Sequence, residues 1–209
     1  MHHSRALILK KEAWGEADWR VTALSADFGK IRLLAQGARK HGAKLQGHLE
    51  PGAISEISFV VGRNGYRLTT ARLEVFPDKS RNFLEKLAAL LALLETLDRN
   101  LLEERDQARE LLATAEAALA ILETARDSAA IRRGAVWFHA RLLIFLGLFP
   151  SPLSPEAGTI SALREFAVSP PSLLGAIETE PVMLERELAW LTRRLGSAFT
   201  PIQAQNRVY

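Results

Sequence analysis

Residues 54–76 read ISEISFVVGRNGYRLTTARLEVF, and this stretch decides the fold of the first third of the chain. Ile54 to Val61 and Tyr66 to Phe76 are runs rich in β-branched and aromatic residues, which pack well on a pleated surface. Between them stands Arg63-Asn64-Gly65, and Asn-Gly supplies the positive φ angles of a tight hairpin turn. The two runs are therefore predicted to be the arms of a β-hairpin.

Toward the N-terminus, Lys30-Ile31-Arg32-Leu33-Leu34-Ala35 alternates basic and apolar residues. In a strand this sets Lys30 and Arg32 on one face and Ile31 and Leu33 on the other, so that one face is basic. Asp27-Phe28-Gly29 reads as the turn before it, with Arg20 to Ser25 and Ala6 to Lys10 as two further strands. Glu12 to Ala17, which contains Gly15, reads as the loop between them. Five strands in about 70 residues, with a long irregular stretch from Gln36 to Gly52, have the size of a small barrel. The OB-fold is the commonest five-stranded kind that binds ligands. An SH3-like barrel is the alternative, and periodicity does not separate the two.

After Pro77 the text changes to Leu- and Ala-rich helical spacing. The reading is α+β and multidomain: an OB-fold barrel over 1–76, followed by an all-α domain over 77–209. Asp78 to Asn82 reads as the capping region of a first helix running through Leu84, Leu87, Leu90, Leu91, Leu94, Leu97 and Leu101. Ala108 to Arg126 and Ala129 to Phe149 follow, the second closing at Gly147 and Pro150. Ser151 to Ser172 reads as a connection with one or two helical turns at most, around Ile160 to Phe166, and Pro181 opens a last helix through Trp190 to Phe199.

With 48% hydrophobic and 24% charged residues among 209, the chain has too much apolar material for disorder. Its net charge of +3 is an average of unlike parts. Residues 1–76 hold twelve Lys/Arg against seven Asp/Glu, a balance of +5, and the remainder holds fifteen against seventeen, a balance of −2. Cysteine is absent, which excludes disulfides, thiolate zinc sites, cysteine nucleophiles and iron–sulfur clusters. The longest apolar runs, Leu87 to Leu94 and Leu142 to Phe149, fall far short of the ~18 residues that span a bilayer. The N-terminus lacks the pattern of a signal peptide. A cytoplasmic, nucleoid-associated protein without membrane contact is expected.

Gly29 to Gly47, GKIRLLAQGARKHGAKLQG, carries Lys30, Arg32, Arg39, Lys40 and Lys44 with no acidic residue among them. A glycine-rich basic loop can follow a phosphate backbone and release its counterions, although basic loops also serve simply as solvated surface. Single-strand binding adds flat side chains on which bases stack. Trp14 and Phe28 stand at loop and turn positions, whereas Trp19, Phe59 and Phe76 read as core and Tyr66 fits either place.

Enzyme readings find little support. Glu12, Glu16 and Asp18 have no histidine at ligand spacing, and the histidines at 2, 3, 41, 48 and 139 form no metal motif. His139, between Phe138 and Ala140 on an apolar helix, reads as structural. No phosphate-binding glycine motif occurs. No catalytic residue, metal or cofactor is expected.

Gly15-Glu16-Ala17-Asp18, Asp27-Phe28-Gly29-Lys30, Ala35-Gln36-Gly37-Ala38-Arg39-Lys40 and Leu49-Glu50-Pro51 together resemble the N-terminal domain of the bacterial recombination-mediator family RecO. The helical part resembles the family through Leu146-Gly147-Leu148-Phe149-Pro150. The resemblance implies an OB-fold followed by a helical domain, binding of single- and double-stranded DNA, and strand annealing. It also implies recombinase loading on DNA coated by single-stranded-DNA-binding protein, with RecR as partner. Many members carry four cysteines that hold a structural zinc after the helix ending here at Phe149, and this chain has none. Arg132, Arg133 and Arg141, beside the apolar helix Val136 to Phe149, are the candidate receivers of the acidic tail of single-stranded-DNA-binding protein. The rival reading is a protein-interaction adaptor whose barrel and basic loop bind an acidic partner. A third, a metal-dependent nuclease, predicts magnesium-dependent cleavage.

Overall fold

The computed structural model describes residues 1–43, 45–63, 65–103, 108–149 and 157–176, with 186, 189–191, 193 and 195. The chain divides into two compact units, Met1–Leu119 and Ala120–Tyr209.

Five strands open the first unit: β1 (His2–Trp14), β2 (Asp18–Ser25), β3 (Gly29–Ala35), β4 (Ile54–Gly62) and β5 (Gly65–Val75). They close as β1-β2-β3-β5-β4, the barrel expected from the hairpin and the strand count. Closure is made by a short parallel pairing in which Leu33 faces Tyr66 and Leu34 faces Arg67. Ala6, Ile8, Val21, Ala23, Ile31, Leu33, Ile57, Phe59 and Leu68 fill the interior.

β1 is longer than its alternation suggested, because Glu12, Ala13 and Trp14 pair with β2 rather than forming a loop. It serves two neighbours, meeting β4 over His2 to Leu7 and β2 over Ala6 to Trp14. A register shift between Ile8 and Lys10 interrupts its period, as a bulge does. The run Ala6 to Leu9 is consequently buried throughout.

Burial of the outer face also explains why one basic position is not open. Leu7 pairs with Leu24 and Leu24 with Lys30, a row that points away from the interior and is nevertheless buried. The helix α2 (Leu84–Asn100), which follows the short α1 (Asp78–Asn82), lies against β1 on this side. The first turns of α3 (Ala108–Thr124) are fixed to the barrel by two ion pairs, Arg109 with Asp27 and Arg5 with Glu116.

The second unit holds α4 (Ser128–Phe145) and α5 (Ala157–Val168). Asp127 caps α4 by accepting the Ala130 N–H at 2.7 Å, and Gly147, at φ +70°, turns the chain after it. Trp137 is buried and its indole N–H donates to the Ser169 carbonyl at 3.0 Å. α5 has twelve residues, three turns where the composition suggested one or two, since its apolar positions Leu163 and Ala167 are buried. The helix expected from Pro181 falls largely outside the described residues. Among the described residues no helix is long and apolar enough to cross a membrane.

Candidate nucleic-acid interface

Two loops meet at one end of the barrel. Gly15, at φ +57°, turns β1 into β2, and Gly37, at φ +67°, turns the chain after β3, a backbone region that glycine enters without steric cost. The Asp18 carboxylate accepts the Gly37 N–H at 2.7 Å. The Arg39 backbone N–H donates to the Ala17 carbonyl at 2.8 Å, and its guanidinium to the Gly15 carbonyl at 2.9 Å. Asp18 and Arg39 thus hold the loops together. Trp19 lies beneath them, with Lys11 4.8 Å and Arg39 5.3 Å from its ring.

The seven cations and aromatics picked out of this part of the sequence separate into distinct environments. Arg39 and Lys40 are exposed on the loop. Lys44 lies outside the described residues. Lys30, read as part of an open basic face, is only 6% exposed. Its ammonium pairs with the Asp98 carboxylate at 3.0 Å and donates to the carbonyls of Asp98 and Leu101. It thereby satisfies the C-terminal end of α2, where orphan carbonyls and the helix dipole attract a cation. Arg32 is open but pairs with Glu103 at 3.0 Å. Phe28 is not an open platform: it packs edge-on against Phe59 and His2, each at 5.1 Å between centroids. Trp14 is 48% exposed at the end of β1, with the Arg20 guanidinium 3.4 Å from its ring centroid.

Strand register brings in cations that local reading missed. Arg20 stands opposite Leu34 on β3, and Leu34 opposite Arg67 on β5, so the two arginines share a row on the outer surface. Arg63 is exposed at the adjoining hairpin. Elsewhere on the barrel the charges are paired: Lys10 with Glu12, Lys11 with Glu50, Arg5 with Glu74 and Glu116, Arg72 with Glu56. Among the described residues no ion pair includes Arg20, Arg39, Lys40, Arg63 or Arg67. The free positive charge of the barrel is therefore concentrated on the β2–β3–β5 surface and the loop after β3.

The family described as "Recombination protein O N terminal" matches residues 1–75, the span that closes into the barrel. By this N-terminal domain the chain belongs to the RecO family. A protein of Gloeothece citriformis named DNA repair protein RecO is 38% identical over 95 residues, 45% of this chain and 33% of that one. One of Desulforamulus reducens, of the same name, is 32% identical over 145 residues, 69% of this chain and 55% of the relative. One of Syntrophomonas wolfei, again so named, is 28% identical over 147 residues, covering 70% and 57%. The chain thus spans between a third and three fifths of the length of these RecO relatives. A four-cysteine zinc centre has no ligands here, because the chain has no cysteine. Among the described residues no group of three or more histidines and carboxylates is placed to hold a metal.

In the second unit, the three arginines proposed for an acidic tail do not form one cluster. Arg133 joins Arg126 at a cavity of about 280 Å³ whose apolar wall includes Ile121, Ala130, Pro171 and Leu174. Arg141 lies 4.9 Å from the Trp137 ring, and Arg132 is half-buried and does not line that cavity. His139 is buried, with Nδ1 2.7 Å from the Ala135 carbonyl oxygen. Burial holds its pKa below the ordinary imidazole value, against the opposing pull of that carbonyl.

Proposed function

We propose that this chain is a non-catalytic DNA-binding mediator of recombinational repair. The observation that carries the reading is the set of five cations, Arg20, Arg39, Lys40, Arg63 and Arg67, which have no carboxylate partner among the described residues and stand on adjoining strands and loops of the barrel. Membership of the RecO family and the name DNA repair protein borne by its relatives support it. The mechanism is electrostatic. Cations along two strands displace counterions and lower the repulsion between phosphate backbones, so complementary single strands can pair. Binding of both single- and double-stranded DNA, annealing, and recombinase loading with RecR on DNA coated by single-stranded-DNA-binding protein are parts of this proposal, as is association with the nucleoid.

Fluorescence anisotropy of labelled oligonucleotides across a salt series tests it. With about five phosphate contacts the log–log slope of affinity against salt should be on the order of −4, for every sequence alike. Affinity that is absent or indifferent to salt refutes it.

A specific observation favours a partner site for an acidic tail in the second unit as well. Arg126 and Arg133 line a cavity with Ile121, Pro171 and Leu174 on its wall, where the one carboxylate, Asp127, is engaged in capping α4; this suits an acidic peptide with a hydrophobic end, the chemistry proposed for the tail of single-stranded-DNA-binding protein. A labelled peptide of that kind should bind the full chain and lose most of its affinity to Arg133→Glu; undiminished binding would remove the cavity from the reading.

A further inference from the structure

Trp14 and Arg20 form a pair that goes beyond a charged surface. The guanidinium carbon sits 3.4 Å from the indole centroid, a stacking distance, while nearly half of Trp14 remains in water. The indole ends β1, and the carbonyl of the next residue, Gly15, accepts from the Arg39 guanidinium, so the backbone after the ring is tied to the loop after β3. Arg20 has a carboxylate opposite it on β1, Glu12. That carboxylate is bound by Lys10 at 2.9 Å, and the guanidinium rests on the ring instead. Arg67 lies in the same outward row, across Leu34.

We propose that Trp14 is a stacking platform for an unpaired nucleobase and that Arg20 is its placeholder, which leaves the ring for a phosphate when a base arrives. The inference rests on the DNA-binding reading and adds selectivity to it. A stacked base is held more strongly than a cation over an aromatic face that water still reaches, and Arg20 is only half-buried, so the exchange runs toward the base. The displaced guanidinium, close to Arg67, gains a charge-assisted contact with the backbone of the same strand. A base inside a duplex is already stacked and paired and reaches such a platform only by being extruded. Duplex DNA therefore meets this surface through its phosphates alone, and the pair favours single strands.

The test uses the full chain, a labelled oligothymidylate and a blunt duplex. Trp14→Ala should weaken single-strand binding about tenfold and change duplex binding less than about twofold, while Trp14→Phe keeps most of the single-strand affinity. Arg20→Ala should make the single-strand salt slope shallower by about 0.7 and leave the effect of Trp14→Ala in place. Equal losses on both DNAs in Trp14→Ala, or no loss on either, overturn the platform while the DNA-binding reading stands. A wild-type chain that binds neither DNA overturns both.

Discussion

Lys30 and Lys40 are ten positions apart in one basic stretch, and the fold gives them opposite work. The Lys30 ammonium ties β3 to the last turn of α2. Removing it leaves a partly buried carboxylate and two carbonyls short of a donor. Loss of a hydrogen bond to a charged group costs about 1.5–3 kcal/mol. Lys30→Met should lower the unfolding free energy by roughly that amount in denaturant titration while leaving the salt slope of DNA binding unchanged. Lys40→Ala should do the reverse, with unchanged stability and a slope shallower by about 0.7–0.9. A Lys30→Met chain that is fully stable and binds DNA weakly would contradict the placement. Arg39 is the less informative target, since its side chain both carries charge and holds Gly15. Nothing in GKIRLLAQGARK distinguishes these roles. Alternation places Lys30 and Arg32 on one face, but which part of that face a later helix covers depends on contacts with residues near 100.

Strands were legible where their period was undisturbed. The Asn-Gly hairpin announces β4 and β5, and the basic–apolar alternation announces β3. β1 was legible only in part, because its bulge and its two partners bury consecutive side chains. The row that joins Arg20 to Arg67 was not legible, for it depends on a parallel closure between strands 30 residues apart along the chain. Packing between helices is illegible for the same reason, and it yields a prediction. A Cβ at Gly134 would lie 2.6 Å from Ile121 Cγ2, a branch close to the backbone that cannot swing away cheaply. Although alanine is the better helix former by about 1 kcal/mol, overpacking costs about 1–3 kcal/mol. Gly134→Ala should therefore lower the melting temperature of the second unit, and a rise would show that α3 and α4 are farther apart there.

Across the whole molecule, acid should act on the two units in separate windows, because each contains a titrating group moved by its own surroundings. In the first unit Asp27 binds Arg109 and accepts from Ser4, and these partners, Arg109 foremost, hold its pKa below the ordinary carboxylate value. The unfolded chain takes up that proton more readily, so the stabilisation is complete at neutral pH. It fades only as pH falls below the ordinary carboxylate range, about 4. In the second unit His139 is kept neutral by burial, and its unfolded form protonates near 6.5. Stability there is full above that pH and declines as pH falls from it toward the lowered folded value. Calorimetry at pH 7.5, 5.5 and about 3 should show the transition of the second unit moving down between the first two, and a His139→Gln chain should lose that movement. Asp27→Asn should leave that step intact and remove part of the later decline of the first unit, by an amount typical of an exposed pair, about 0.2–1 kcal/mol. A second-unit transition that stays level from pH 7.5 to 5.5 would mean that the imidazole is not neutral in its buried position. The separation also matters for binding assays: between pH 7.5 and 5.5 the Asp27–Arg109 contact of the barrel should persist, so a loss of DNA affinity there would need a cause outside that contact.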